Sequence, residues 1–453
     1  MNEQNWRRFF NIKSIIALLL AASVLLSAIG VIPVAEFMRQ IRKTLSGATE
    51  TTAPTGGETG SSDKEAQYRQ ALDEVSQQIK ENSGRASLYT ERAALYYQLK
   101  EYDNAIADYT TALGLQPDPE TYYLRAIVYT VVDKDKSAYD DLTKALASDP
   151  RNKDYRSLMA DTCNTLKRYD EARQHLEFLL STDGTNAILY TLAGDACVYT
   201  KDYAAAAGHY KSAIKYYSVK TENNGITKAS LYSALANSLK SAEKYTEAIE
   251  AYDQALKLAD SKELYFQKGF CLLQSEQYEA AIEIFNKCIE LDYEVAVSRF
   301  QRGLCYYILK QYQNAIDDFT AYEAAFPDKT DTYLYMGLCY QAQEKYDNAI
   351  VYFQKSISAD ISVGDCNFHI GNCYYNKGEF AKAIPYYTTA IDQKAQLYPA
   401  LLNRGVAYVK LNKYNEAKVD LKRVIDECSD PDLVKKATTS YEPIKNITII
   451  TKK

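Results

Sequence analysis

Small and large apolar residues recur along this chain at a spacing close to 34 residues. Each copy has a central alanine, a large apolar residue four positions after it and a small residue twelve positions before it. The central alanines are Ala105, Ala138, Ala172, Ala206, Ala248, Ala281, Ala315, Ala349, Ala383 and Ala417. Small and large residues at helical spacings let two antiparallel helices pack closely. The pattern therefore predicts ten helix pairs, each with a first and a second helix.

One helix pair cannot bury both of its faces alone, so consecutive pairs are expected to stack around a continuous core. The motif resembles the tetratricopeptide repeat (TPR), as in Ala93 on a first helix and Ala105 and Tyr109 on a second. The resemblance covers about ten repeats over residues 86–429 and is to membrane-anchored bacterial members of the family. It implies an all-α fold, a right-handed α-solenoid superhelix of about ten helix-turn-helix repeats. In such proteins the first helices line a concave groove that binds partner polypeptides.

The ends of the array and one interval depart from the repeat. Residues 64–85 carry the pattern of a lone second helix and predict an N-terminal capping helix. Residues 430–453 predict a C-terminal capping helix and a tail. The interval from Ala206 to Ala248 is 42 residues, which indicates a lengthened turn near 219–227. That turn is either a plain insertion or a division of the array into four and six repeats.

An uncharged apolar run occupies residues 14–35. Its length suffices to cross a bilayer core of roughly 30 Å as a helix, so we expect one transmembrane helix that acts as a signal anchor. Residues 1–13 form an N-terminal tail before it, and residues 36–63 form a flexible linker rich in Thr, Gly and Ser after it. A cleaved signal peptide is the competing interpretation.

Basic residues flank the run on both sides, so their distribution does not set its orientation in the membrane. The composition of the linker and the short N-terminal tail favour repeats that lie outside the cytoplasm. The thiols expected in the repeat core argue for the alternative, in which the repeats face the cytoplasm. We therefore expect a single-pass membrane protein with an extracytoplasmic TPR domain.

The composition of the chain argues against several classes of function. The 453 residues carry a formal net charge of −6 with both signs mixed along the chain, which argues against a nucleic-acid-binding protein. Four cysteines recur every 34 residues and are interpreted as core packing residues: Cys271, Cys305, Cys339 and Cys373. We find no catalytic or metal-binding motif and predict no enzyme activity, no cofactor and no metal.

Several charged or titratable residues are interpreted as structural or solvated. The cations beside the small residues are expected to extend their stems along the surface towards water: Arg92, Arg125, Lys268, Arg302 and Arg404. The paired acids Asp140–Asp141 and Asp317–Asp318 are expected to solvate a face of the second helices. His175 and His209, at one second-helix position, are expected to face solvent.

Register with the central alanines assigns the residues that face the predicted groove. In repeats three to five these are mostly polar, for example Asp161 and Asp195. In repeats six to nine they are apolar and form what we call the apolar stripe: Phe266, Phe270, Leu273, Phe300, Leu304, Tyr307, Leu334, Leu338, Phe368 and Tyr375. A contiguous exposed apolar patch marks an interaction site, so we interpret the stripe as partner-binding, anchored by Phe270, Phe300 and Leu304. The alternative is that the protein buries these residues itself.

Together these features predict a membrane-tethered scaffold or adaptor that binds segments of other proteins in the groove. The alternatives are a self-associating structural component of the cell envelope, which would be a homo-oligomer, and an accessory subunit of an enzyme or secretion complex. Chaperone-binding relatives hold a C-terminal carboxylate with a polar clamp. Only Asn237 and Lys240 resemble that clamp, and Asp161 and Asp195 would repel a carboxylate, so we do not predict one.

Overall fold

The structure is a computed structural model that describes residues 60–447. These residues form 23 α-helices and no β-strand. The predicted tail 1–13, the predicted transmembrane segment 14–35 and nearly all of the linker 36–63 lie outside the described residues. Within residues 60–447, no helix combines the length and the apolar content that crossing a bilayer requires. The chain divides between Ile226 and Thr227 into two compact units, which we call unit 1 and unit 2.

Unit 1 contains one leading helix, four helix pairs and one short final helix. They are α1 (Gly60–Glu81), α2 (Ala86–Gln98), α3 (Tyr102–Leu115), α4 (Pro119–Val131), α5 (Asp135–Ser148), α6 (Lys153–Thr165), α7 (Tyr169–Thr182), α8 (Ala187–Tyr199), α9 (Tyr203–Lys215) and α10 (Val219–Glu222). The lengthened interval therefore holds a helical turn, α10. Its start is capped because the Ser218 N–H donates to the hydroxyl of Thr221 at 3.3 Å.

Unit 2 contains six helix pairs and one final helix. They are α11 (Lys228–Ser241), α12 (Tyr245–Leu258), α13 (Lys262–Gln274), α14 (Tyr278–Glu290), α15 (Val295–Ile308), α16 (Tyr312–Ala325), α17 (Tyr333–Ala342), α18 (Tyr346–Ser358), α19 (Val363–Asn376), α20 (Phe380–Asp392), α21 (Leu397–Lys410), α22 (Tyr414–Glu427) and α23 (Pro431–Tyr441). In all ten helix pairs, the first helix carries the small residue and the second helix carries the central alanine.

The core of each repeat is a close contact between its two helices. All ten central alanines are fully buried, and the large residues four positions later are at most 2% exposed. The small residue lies against this large side chain. A Cβ atom on Gly337 would stand 2.5 Å from Cε1 of Phe353, and five other glycines at this position would meet their partners at 2.6–2.9 Å. The small residue is therefore required because no larger side chain fits between the helices.

The turn inside each repeat has one recurring backbone geometry. The fifth residue before each central alanine has a positive φ angle, for example 61° at Lys100 and 77° at Gly378. The next N–H then bonds to the carbonyl five residues back, as Glu101 does to Tyr96 at 2.8 Å. This is the Schellman arrangement, which satisfies the last carbonyls of a helix. Nine of the ten positions hold a residue other than glycine, so most of these turns carry some backbone strain.

Candidate partner-binding surface

The apolar stripe lies on four first helices of unit 2: α13, α15, α17 and α19. Nine of its ten residues are half-buried, so each presents part of its side chain to solvent. Leu273 differs from the others because it is only 8% exposed and belongs to the core cluster that contains Leu272 and Phe285. Contrary to the prediction, Leu273 is therefore not available to a partner.

Two phenylalanines of the stripe, Phe266 and Phe300, rest on core rings. The ring centroid of Phe300 lies 5.9 Å from that of Phe319 and 4.9 Å from that of Tyr322. Phe266 likewise lies 6.1 Å from Phe285. These separations are typical of favourable aromatic pairs. Core rings thus hold Phe266 and Phe300 on one side, and the exposed remainder of each is an apolar surface.

One groove position between Phe368 and Tyr375 of the apolar stripe is polar, and it was not predicted as part of the site. Asn372 on α19 occupies the register of Phe270, Leu304 and Leu338, eleven residues before the central alanine. Its Oδ1 accepts a hydrogen bond from the hydroxyl of Tyr387 at 2.8 Å. The same contact joins Tyr252 to Asn237 at 2.6 Å in repeat five and Tyr210 to Asp195 at 2.6 Å in repeat four.

The identity of the core residue accounts for part of this alternation. In repeats four, five and nine the second helix carries a buried tyrosine at this place, and the first helix supplies a polar acceptor for its hydroxyl. Repeat one differs, because the buried Tyr109 faces Ala94. Where the second helix carries Phe285, Phe319 or Phe353, the facing residue is apolar. A buried hydroxyl without a partner costs free energy, so a polar residue on the surface beside a core tyrosine is favourable.

The first helices of repeats three and four, in unit 1, present carboxylates instead of apolar side chains. Burial raises the pKa of Asp195 from 3.8 to about 6, and the hydrogen bond that Tyr210 donates limits the rise. The side chain of Asp161 is exposed to solvent. Its desolvation, and then the nearby charge of Asp135, raise the pKa of that carboxyl. This surface would repel an acidic ligand.

The two residues that resembled a carboxylate clamp already have partners inside the protein. Lys240 donates to Oε1 of Gln267 at 2.5 Å, and burial lowers its pKa. Oδ1 of Asn237 accepts a hydrogen bond from the hydroxyl of Tyr252. Both side chains therefore contribute to packing in unit 2.

A pocket of about 490 Å³ lies at the C-terminal end of unit 2. It is lined by residues of α17, α19, α21 and α23: Gln341, Asn372, Tyr375, Asn376, Leu402, Asn403, Val406, Lys436 and Ser440. Of the predicted site residues, only Tyr375 is among them. The amides were missed, although Gln341 and Asn372 stand at groove positions of the repeat register.

The cations beside the small residues form buried ion pairs. Arg302 donates from Nε and Nη2 to the carboxylate of Asp318 at 2.7 and 2.5 Å, and Asp318 is 2% exposed. The same two-point pairs join Arg92 to Asp108, Arg125 to Asp141 and Arg404 to Asp420. The predictions that these stems extend towards water and that Asp141 and Asp318 solvate a face were therefore wrong. The acids are buried because a guanidinium fork satisfies both carboxylate oxygens.

Lys268 is the exception, since the corresponding second-helix position holds Ile284. Its ammonium instead pairs with Asp253 at 2.6 Å. The two histidines on second helices are half-buried and not fully exposed as predicted. Burial lowers the pKa of both His175 and His209, and Nδ1 of His175 lies 3.2 Å from Nη1 of Arg156. Among the described residues, no group of three or more His, Cys, Asp or Glu could hold a metal ion.

Comparison with known families assigns the architecture. Tetratricopeptide repeat models match residues 86–119, 331–359, 364–396 and 398–430. A model described as anaphase-promoting complex, cyclosome, subunit 3 matches residues 243–322. The matches fall in both units, and the protein is thus a helical-repeat protein. It is a tetratricopeptide-repeat protein, a kind that generally mediates protein–protein interactions.

Individual relatives resemble only parts of the chain. Serine/threonine-protein phosphatase T of Aspergillus oryzae is 32% identical over 108 residues, which are 24% of this chain and 22% of that protein. A TPR protein structure from Parabacteroides merdae is 17% identical, with a TM-score of 0.39, and covers 56% of this chain and 98% of its own. YrrB, described as a TPR protein with an unusual peptide-binding site, is 21% identical, with a TM-score of 0.35, over 41% of this chain and 93% of its own.

Proposed function

We propose that the protein is a membrane-tethered scaffold that binds segments of partner proteins along the apolar stripe of unit 2. The observation that carries the proposal is the row of half-exposed rings and leucines on four consecutive first helices. Rigid apolar side chains of this kind lose little conformational entropy when a partner covers them, and aromatic residues dominate the energetics of many interfaces. Phe300 and Phe266 are the strongest anchors because core rings already hold them.

The tether in this proposal is the uncharged run at residues 14–35, with the linker 36–63 as the spacer. We propose that the repeats lie outside the cytoplasm, where a flexible linker would let them reach partners beyond the membrane surface. A soluble partner and a partner embedded in the same membrane are both compatible with this arrangement.

Substitutions that copy other repeats test the surface without disturbing the core. Repeats three and five carry Ser157 and Ser233 at the register of Phe266 and Phe300, so the double variant Phe266→Ser, Phe300→Ser should fold. Photo-crosslinking in native membranes, with the label at Leu304, should capture a partner in the unchanged protein and lose it in this variant. Val351→Ser, on the second helix α18 where Val351 is 51% exposed, is the control and should change nothing.

The outcomes separate the alternatives. Equal capture by the double variant and by the control would contradict the proposal that the stripe is the working surface. Crosslinks that join only copies of this chain would support the homo-oligomer, which predicts a loss of self-association in the same variant.

The tether has an independent test. Leu19→Arg places a charge in the apolar run, where it costs about 3 kcal/mol on insertion scales. We expect the variant to move from the membrane pellet to the soluble fraction, whereas Thr52→Arg in the linker should stay with the membrane. Unchanged pelleting of Leu19→Arg under alkaline extraction would contradict the anchor.

A further inference from the structure

The C-terminal pocket of unit 2 has a different chemistry from the apolar stripe. Amide side chains of α19 and α21, which we call its floor, line the pocket together with the apolar side chains of Tyr375, Leu402 and Val406. Its volume of about 490 Å³ is within the usual range of ligand pockets. The final helix α23 contributes Lys436 and Ser440, so the pocket has a charged group at its edge.

Hydrogen bonds hold the amides of the floor in one orientation. Oδ1 of Asn372 accepts both the hydroxyl of Tyr387 and Nδ2 of Asn403, each at 2.8 Å. Nδ2 of Asn372 and Oδ1 of Asn403 then have no partner among the described residues. The floor therefore offers one oriented donor and one oriented acceptor. A peptide unit carries the complementary pair, since its carbonyl accepts and its N–H donates.

The charge of the side chains that line the pocket indicates which peptides would bind there. Its lining contains one cation, Lys436, and no carboxylate. Lys436 is exposed and makes no ion pair with any described residue. An acidic side chain on a bound peptide would gain a charge-assisted hydrogen bond there.

We propose that this pocket binds an internal, extended segment of an acidic polypeptide, with a backbone peptide unit on Asn372 and Asn403 and a carboxylate side chain on Lys436. The proposal rests on the proposed function, because it makes the pocket the polar end of the same binding surface. Tyr375 belongs to both the stripe and the pocket, so one extended segment would lie along the stripe and enter the pocket at this residue.

The chain's own C-terminal residues are a less suitable occupant. The carbonyl of Ile447, the last described residue, accepts a hydrogen bond from Nζ of Lys418 at 2.6 Å, so the chain leaves beside the second helix α22. Residues 448–453 contain two lysines and neither aspartate nor glutamate, so their side chains would place like charge against Lys436.

The test uses the full chain, purified in a mild detergent, and a displayed library of random dodecapeptides as the probe. Selected peptides should contain aspartate or glutamate, and a synthetic copy should bind equally well with a free or an amidated C terminus. Lys436→Gln should weaken its binding about tenfold, the effect of losing one charge-assisted hydrogen bond. Lys435→Gln, next to it but outside the pocket, should have no effect.

Asn372→Asp isolates the contribution of the amide. Asp195 accepts a tyrosine hydroxyl at the same repeat position, so the variant should keep its contact with Tyr387 and remain folded. It lacks the donor on Nδ2 and places a carboxylate against the peptide carbonyl, so binding should fall about tenfold or more. Asn237→Asp, at the same register in repeat five, is the matched control and should bind normally.

Selected peptides whose affinity responds to Phe300→Ser but to neither pocket variant would overturn this proposal and leave the proposed function standing. Affinity that disappears on amidation would also overturn it, since the ligand would then be a terminal carboxylate. So would binding that appears only after residues 448–453 are deleted, because the tail would be the occupant. Failure to select any peptide that crosslinks to the stripe would count against both proposals.

Discussion

Unit 1 and unit 2 share one repeat core but differ in the surface of their first helices. In both units the central alanines are fully buried and two-point arginine–aspartate pairs join the helices of a repeat. The first helices of repeats three and four carry Asp161 and Asp195, whereas those of repeats six to eight carry phenylalanine and leucine. The same backbone therefore supports two surface chemistries, and the difference between them lies in a few positions of the repeat.

The comparison also shows that the surface is not independent of the core. Tyr210 in unit 1 requires the acceptor Asp195, whereas Phe319 in unit 2 leaves Leu304 free to be apolar. One oxygen atom on a buried ring thus favours a polar residue at the adjacent surface position, although Asp161 beside Leu176 shows that this position can be polar without it.

The largest effect should come from the ion pairs that both units share. Arg302→Met leaves the buried carboxylate of Asp318 without its partner, and the free energy of unfolding of unit 2 should fall by about 3–5 kcal/mol. Arg125→Met should lower the free energy of unfolding of unit 1 by the same amount, because Asp141 is equally buried. Hydrogen exchange of peptides from each unit measures both losses separately. A large loss of stability in only one unit would show that the cores of the two units do not depend equally on these ion pairs.

The double variant Arg302→Met, Asp318→Tyr provides the control. It copies Met336 and Tyr352, which occupy these positions in repeat eight. Removing both charges should restore most of the lost stability, since the cost arises from the orphaned carboxylate. If the double variant is as unstable as Arg302→Met, the loss must have another cause.

The next effect tests the close contact between helices. Gly337→Ala places a Cβ 2.5 Å from Phe353, so we expect a loss of about 2 kcal/mol in thermal or denaturant unfolding. Adding Phe353→Leu should recover part of it, because repeats two and three combine alanine with leucine at these positions. Gly208→Ala, within helix α9 of unit 1, has no atom within 4 Å of its new Cβ and should stabilise by up to about 1 kcal/mol. Equal responses at the two glycines would refute the packing argument.

A smaller effect concerns the acidic surface of unit 1. The raised pKa of Asp195 means that the folded state binds more protons than the unfolded state between about pH 4 and pH 6. Unit 1 should therefore become more stable as the pH falls through 6, with the gain complete below about 4. Asp195→Asn keeps an acceptor for Tyr210, as Asn237 does for Tyr252, and should stabilise unit 1 at pH 7 by about 1–2 kcal/mol. A pH titration of stability checks this, and an unchanged slope in the variant would disprove it.

The smallest effect concerns the turns within repeats. Lys310 has a φ angle of 60°, in the left-handed region that costs a residue with a Cβ about 1 kcal/mol. Lys310→Gly should raise the free energy of unfolding by about that amount. Gly378→Ala, in the equivalent turn of repeat nine, should lower it by the same amount. Calorimetry of the two variants should give shifts of opposite sign.

Much of the fold could be predicted from the sequence because each helix imposes its own period. The spacing of the central alanines gives the number of helix pairs, and the tyrosines that precede them mark where most second helices begin. The pairing of Arg302 with Asp318 could not be predicted in this way, because it depends on how one helix is rotated against the other. The residues of the apolar stripe could be assigned from the sequence for the same reason as the core residues, since both sets stand at fixed distances from the central alanines.

The pocket was missed for a different reason. Asn372 and Asn403 are ordinary polar residues in the sequence, and nothing in their spacing indicates that one amide orients the other. Their significance depends on the hydroxyl of Tyr387 and on the position of α23, which are properties of the assembled repeats. Leu273 illustrates the opposite case, because its register fits the stripe although its side chain is buried in the core.

The contact between a core tyrosine and its surface acceptor also limits how such an array can diversify. Changing Phe319 to tyrosine alone would bury an unpaired hydroxyl, and changing Leu304 alone would place an amide beside a ring with nothing to bond. The two positions stand fifteen residues apart in one repeat. Duplication or exchange of a whole repeat moves both residues together and keeps a matched pair intact. Repeat three, which combines Leu176 with Asp161, shows that stepwise point mutation is open as well. Recombination is therefore the route by which an array of this kind acquires a new surface without passing through an unmatched pair.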